Sequence, residues 1–363
     1  MKTRDEALDF MKIVLVLQMI MAHIIQFFPS GKIVALYSSY VNLVTFSGFI
    51  FVFGYVGYEA YFANDGIKVK RLIMHAIKTI IAFYITGIAY ILLIDKECSY
   101  QSLYEVFIFK RIPGYSEFLL TFAFIYPFII LLKCILRLVR IKLTGLVTIL
   151  IVMISLGLTF INYHIVTNNI IGTFIGTYNY YSYPFFQYLS YYVLGMYLSK
   201  WKINYNSFVM AGTVLGAGLF SSYYLKNGSL PQRCPPSMYW IVGGWFIVYC
   251  YYLISRFICA QSFFRLHKNI KLIGKNTLVF LVMSNISIFV ARYCFDIWHE
   301  RILFFGGNAN TALVYAALFV ICLASSYTVI ALKQSVTKMI VKGSKNSNNA
   351  IKSSGTLYSE HWR

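Results

Sequence analysis

Ten separate stretches of this 363-residue chain are long and apolar enough to be read as membrane-crossing helices. They fall near 8–28, 40–63, 72–94, 117–138, 141–161, 183–199, 207–225, 237–258, 272–293 and 311–332. A spanning helix needs about 20 mostly apolar residues, so these runs with short connections consume most of the chain. No segment of domain size is left over. Between them stand helix-ending residues, among them Pro29 with Gly31, Asn64 with Gly66, Pro113 with Gly114, Asn227 with Gly228, and Gly306 with Gly307. The expected fold is therefore all-α, a polytopic integral membrane protein of about ten transmembrane helices. The membrane domain covers 1–333. The remainder, 334–363, is rich in Lys, Ser and Asn and reads as a short, basic, disordered tail. No internal repeat is visible, nor a matched pair of Gly- or Pro-broken helices of the kind that marks inverted-repeat transporters.

Charge supports the partition and gives it a direction. Only 12% of residues are charged, about half the share that wets a soluble surface. The net charge is nevertheless +20. If residues 1–7 are placed in the cytoplasm and sides alternate from there, 22 of the 32 Lys and Arg fall inside and eight outside. Cytoplasmic loops retain Lys and Arg, so both termini are expected on the cytoplasmic side of a plasma (inner) membrane. The same rule accounts for the basic balance without a nucleic-acid partner, since no soluble basic domain exists to present one. The seven Cys and six His are scattered, with no spacing that indicates a metal site or a redox pair. Asp5, Glu6, Asp9 and Lys12 do not suit the start of a cleavable signal peptide.

The first run carries Asp9, Lys12, Gln18, His23 and Gln26. A charged side chain at mid-membrane costs about 2.5–3.5 kcal/mol on insertion scales, which makes such residues candidates for function. At ~100° per residue, the eleven positions from Lys12 to His23 return to within ~20° of the same helix face, and Asp9 and Gln26 lie within about 60° of that line. Lys12 and His23 are then about 16 Å apart along the axis. Lys12 alone is explained equally well by snorkelling to the headgroups, and Asp9 by pairing with Lys12 or Arg4. A His far deeper on the same face needs another reason.

Residues Arg4 to Lys12, followed by an apolar stretch ending in Met21, Ala22 and His23, resemble the opening of the membrane-bound acyltransferase-3 family, whose first helix carries Arg or Lys eleven positions before a His. Phe46-Ser47-Gly48-Phe49 resembles its Ser-Gly-Phe in helix 2. Phe118-Leu119-Leu120 with Tyr126-Pro127 resembles its helix 4 pattern, and Gly274-Lys275-Asn276-Thr277-Leu278 its late Gly-x-Asn-Ser-Leu. The chain departs from the pattern at three places. Met74 follows Arg71 where a second Arg often stands, Ser284 replaces a frequent His, and Glu117 replaces a Trp.

The resemblance implies an O-acyltransferase that moves an acyl group, acetyl by default, from cytosolic acyl-CoA to a hydroxyl of a cell-surface or lipid-linked polysaccharide. No cofactor is held permanently; acetyl-CoA is the donor substrate, and membrane lipids are the surrounding partner. Anionic coenzyme A needs cations, and Lys12, Lys68, Lys70 and Arg71 are the candidates, although positive-inside topology alone also places cations there. His23 is the candidate general base, or alternatively the acyl-carrying nucleophile. Glu117 is the candidate carboxylate to orient its ring, unless it is a solvated residue at a helix start. Asp9 and Ser47 complete the candidate site. A polysaccharide or oligosaccharide exporter without acyl transfer is the competing reading. A polymerase fits less well, because the outer loops are short.

Overall fold

The computed structural model describes residues 5–28, 31–63, 69–140, 144–177, 183–261, 268–302 and 308–357. Every helix among them is α, π or 3₁₀ in type, and the α-helices run in the order α1 (Glu6–Phe27), α2 (Gly31–Gly57), α3 (Val69–Tyr90), α4 (Tyr100–Phe107), α5 (Glu117–Leu138), α6 (Gly145–Gly157), α7 (Asn169–Ile175), α8 (Leu189–Trp201), α9 (Ser207–Asn227), α10 (Met238–Ala260), α11 (Lys268–Lys275), α12 (Thr277–Ile302) and α13 (Asn308–Leu357). Single π-helical turns extend α2 over Tyr58–Phe62 and α3 over Ile91–Asp95.

All ten apolar runs are helical along much of their length, and eight of the described helices are long and apolar enough to cross a membrane. The chain is a multi-pass membrane protein. The two shorter members are α6, which continues as a 3₁₀ turn to Phe160, and α8, of 13 residues. The run 183–199 loses its first third to turns because Pro184 disfavours helix at the residue before it. Irregular backbone at such a place must be satisfied by protein groups. The Phe185 and Phe186 amides donate to the Thr173 and Phe174 carbonyls at 3.0 and 2.9 Å, and the Ser155 hydroxyl donates to the Gln187 carbonyl at 2.8 Å. The fully buried Gln187 side chain in turn serves the Ile175 carbonyl at the end of α7.

At the other end of the chain, α13 carries the backbone as helix to Leu357, across most of the stretch read from sequence as disordered. That stretch has no proline, and Gly343 and Gly355 are its only glycines, so nothing in it forces a helix to stop. Residues 358–363 lie outside the described residues.

α1 is central. It packs against α2, α10, α11, α12 and α13 and is mostly buried, whereas α9 and α13 are mostly exposed and form the rim. Asp5 caps its start, accepting from the Ala7 and Leu8 amides at 3.1 and 3.3 Å. α2, also largely buried, lies against α8 at backbone contact. A Cβ on Gly54 would stand 2.0 Å from the Tyr192 carbonyl oxygen, and one on Gly195 2.1 Å from that of Phe51. Lipid gives helices no hydrophobic reason to associate, so small residues that let backbones touch are what pack them.

Candidate functional site

α1 holds Lys12 and His23 at opposite ends of one internal track. At the Lys12 end, Asp9 and Lys12 form an ion pair at 2.6 Å, with the Asp9 side chain 6% and Lys12 17% exposed. The pair is one helical turn long, so the spacing alone brings it together. Gly274, at the end of α11, lets that segment lie directly on α1: a Cβ there would sit 3.0 Å from the Asp9 carbonyl oxygen.

Beside the pair opens a cavity of about 340 Å³. Lys12, His75, Tyr126 and Lys275 supply its polar wall, and Phe49, Phe53, Phe122 and Leu281 part of its apolar lining. His75 stacks on Tyr126, ring centroids 5.6 Å apart. Lys70 and Arg71 stand exposed at the start of α3, one turn before His75. The Arg71 charge acts on both His75 and Tyr61. Lys68 lies outside the described residues. Of the expected cations, Lys12 therefore lines the cavity, Lys70 and Arg71 flank it, and Lys275 joins them.

At the other end, His23 Nδ1 lies 2.7 Å from Asn285 Oδ1 on α12. The amide group of Asn285 donates Nδ2 to the Tyr115 carbonyl at 3.0 Å. That bond fixes which way the amide faces, so its oxygen must accept from His23. Nδ1 therefore carries the hydrogen, and Nε2 is left with the lone pair. The Tyr115 ring meets the imidazole edge to face at 4.9 Å. A neutral amide thus does what the sequence assigned to the carboxylate of Glu117. Glu117 begins α5 nearby, and its charge acts on the Tyr115 and Tyr183 hydroxyls.

A second cavity, of about 30 Å³, adjoins His23 and is lined also by Asn42, Thr45, Phe46, Phe49 and Tyr183. It has room for about one water-sized group. The Thr45 hydroxyl is buried there with no hydrogen-bond partner among the described residues, an exception that in a native interior asks for a ligand or water.

Ser47 does not join this wall. It is buried, and its hydroxyl donates to the Leu43 carbonyl of its own helix at 3.0 Å. Its contribution is to helix packing. No family model, curated protein or solved structure matches this chain.

Three of the segments that carry the family resemblance meet at these cavities although they are far apart in the chain. Phe49 belongs to the first, Phe118, Leu119 and Tyr126 to the second, and Gly274, Lys275, Thr277 and Leu278 to the third. Sequence reasoning misses Asn285, Asn42 and Thr45, which are uncharged polar residues within apolar runs. The signal that could flag them is the cost of burying an amide or hydroxyl without a partner.

Proposed function

We propose that this chain is a membrane O-acyltransferase of the plasma membrane, with both termini in the cytoplasm. It takes an acyl group, acetyl by default, from cytosolic acyl-CoA and passes it to a hydroxyl of a cell-surface or lipid-linked polysaccharide. The observation that carries this reading is the pair of cavities on α1: a cation-walled one at Lys12 and a small one at His23 with Asn42 and Thr45 in its wall.

In this reading Lys12, Lys275, Lys70 and Arg71 hold the anionic coenzyme A at the cytoplasmic mouth, where charge-assisted bonds to phosphate are strong. The thioester arm enters the larger cavity. His23 acts as general base: Nε2 takes the proton of the acceptor hydroxyl as its oxygen attacks the thioester carbonyl. The C–S bond then breaks and coenzyme A leaves as its thiol, taking back one proton. Asn285 is the positioning residue, because it holds the ring in the tautomer that leaves Nε2 free. The hydroxyl of Thr45 and the amide of Asn42 are the polar groups available to the acceptor.

The experiment is acyl transfer from labelled acetyl-CoA by membranes containing the chain, per inserted molecule. His23→Gln keeps a hydrogen-bonding side chain but cannot take a proton, and the expected loss is about 10²–10⁴ in turnover. Near-normal transfer by His23→Gln would make the residue structural. Export of an unmodified oligosaccharide, the competing function, would transfer no label in any variant.

A further inference from the structure

The two cavities share one lining residue, Phe49. Its ring is buried, 7% exposed, and meets Phe122 of α5 edge to face at 6.4 Å. Phe122 is itself in edge contact with Phe46 at 5.7 Å, so an aromatic layer lies across the track between the Lys12 and His23 ends. The backbone beneath Phe49 has little room to shift. The preceding Gly48 is pressed on α1 so closely that a Cβ would stand 2.8 Å from Leu15 Cδ1. Rotation of the ring about its own side-chain bonds is therefore the cheapest way to join the two cavities. Side-chain rotamer changes are far cheaper than sliding two packed helices.

We infer that the Phe49 ring is the partition between a donor chamber and the His23 chamber, and that it sets how large an acyl group can pass. The transfer arm of this inference rests on the acyltransferase reading; the partition itself does not. A closed ring keeps water in the donor chamber from the residue that activates the acceptor. It also limits the group delivered to one that slips past a phenyl edge, which favours a short acyl chain.

The test has two arms, made in a chain whose native cysteines are replaced. In the first, Thr79→Cys reports the larger cavity and Ala22→Cys the smaller one. Silver ion, a membrane-impermeant thiol reagent of about the size of a water molecule, is applied from the Lys12 side. Thr79→Cys should be labelled whatever stands at 49, whereas Ala22→Cys should be protected with Phe49 and labelled with Phe49→Ala. Phe49→Leu, a milder change in volume, should give intermediate labelling and guards against a misfolded Ala variant. Equal labelling of Ala22→Cys with and without the ring overturns the partition, as does its protection in both Phe49→Ala and Phe49→Leu while Thr79→Cys reacts.

In the second arm, membranes receive acetyl-CoA or butanoyl-CoA. Phe49→Ala should raise butanoyl transfer relative to acetyl by about tenfold or more, the scale on which fitted pockets discriminate methylene groups. An unchanged ratio removes the size-selecting role. If labelling behaves as expected but no acyl-CoA is used by any variant, the partition stands and the acyltransferase reading falls.

Discussion

At His23 the decisive neighbour is 262 positions away in sequence. The alignment of Lys12 with His23, and the pairing of Lys12 with Asp9, follow from helical spacing and are legible in the sequence itself. Asn285 is not, because no periodicity links an amide on α12 to an imidazole on α1. A carboxylate is the natural expectation for an orienting partner, but an ionised Glu at that depth would carry a desolvation cost that a neutral amide avoids. Asn285→Ala leaves both the Nδ1 hydrogen and the Tyr115 carbonyl without their partner. Each unsatisfied buried group costs about 1–3 kcal/mol of stability, and loss of the fixed tautomer should lower turnover by part of the about 10²–10⁴ that a general base supplies. Under the proposed acyl transfer, Asn285 acts as a positioning residue, so Asn285→Ala should change kcat while the KM for acyl-CoA stays constant. Steady-state kinetics at matched protein level check this, and a change confined to KM would contradict it.

At the scale of elements, the apolar runs locate the helices well, since helix existence in a run of about 20 apolar residues is forced by backbone hydrogen bonding. Their ends are harder to read. Composition alone does not foretell that the run at 183–199 begins in turns, although Pro184 marks the place. Nor does it mark Lys133 as an interior residue, since the alternation of loops counts it with the inner segments. Lys133 is buried on α5 and donates Nζ to the Tyr61 carbonyl at 2.5 Å, where the π-helical turn after α2 leaves acceptors to be satisfied. The α2–α8 crossing gives an expectation of its own. Gly195→Ala puts a methyl group 2.1 Å from the Phe51 carbonyl oxygen and 2.9 Å from the Tyr55 amide nitrogen, with backbone on both sides unable to yield as a side chain would. Overpacking of this kind costs about 1–3 kcal/mol. The variant should lose thermal stability in detergent, whereas Gly212→Ala, with nothing within 4 Å of the added methyl, should not. Equal melting temperatures for the two would show that the crossing tolerates separation.

For the whole molecule, polar contacts test the alternation of loops independently of hydropathy. At the Lys12 end Arg256 pairs with Asp5 at 2.8 Å and Lys271 with Glu6 at 2.6 Å. At the His23 end Lys96 pairs with Asp296 at 3.3 Å and Arg111 with Asp95 at 2.8 Å, and Arg111 also pairs with Glu97. The Arg256, Lys271 and Lys96 pairs each join two separate segments that the alternation places on one side of the membrane, whereas the Arg111 pairs lie within the single segment 95–116. Arg256 also donates to the Tyr55 hydroxyl at 2.8 Å and lies over the Tyr55 and Tyr252 rings, tying α1, α2 and α10 together at that end. These contacts say which loops share a side; the direction rests on the 22-to-eight distribution of Lys and Arg. If that direction is right, an impermeant thiol reagent applied to intact cells should modify a Cys substituted at Asn168, which caps α7 on the His23 side. It should spare one substituted at Ser347. The reverse pattern would put the Lys12 cavity outside, away from cytosolic coenzyme A, and would leave the cation wall with no anionic donor to hold. Orientation and the proposed acyl transfer thus stand or fall together, because that proposal needs Lys12 facing the cytoplasm for a cytosolic donor and an external hydroxyl to approach α1 from opposite ends.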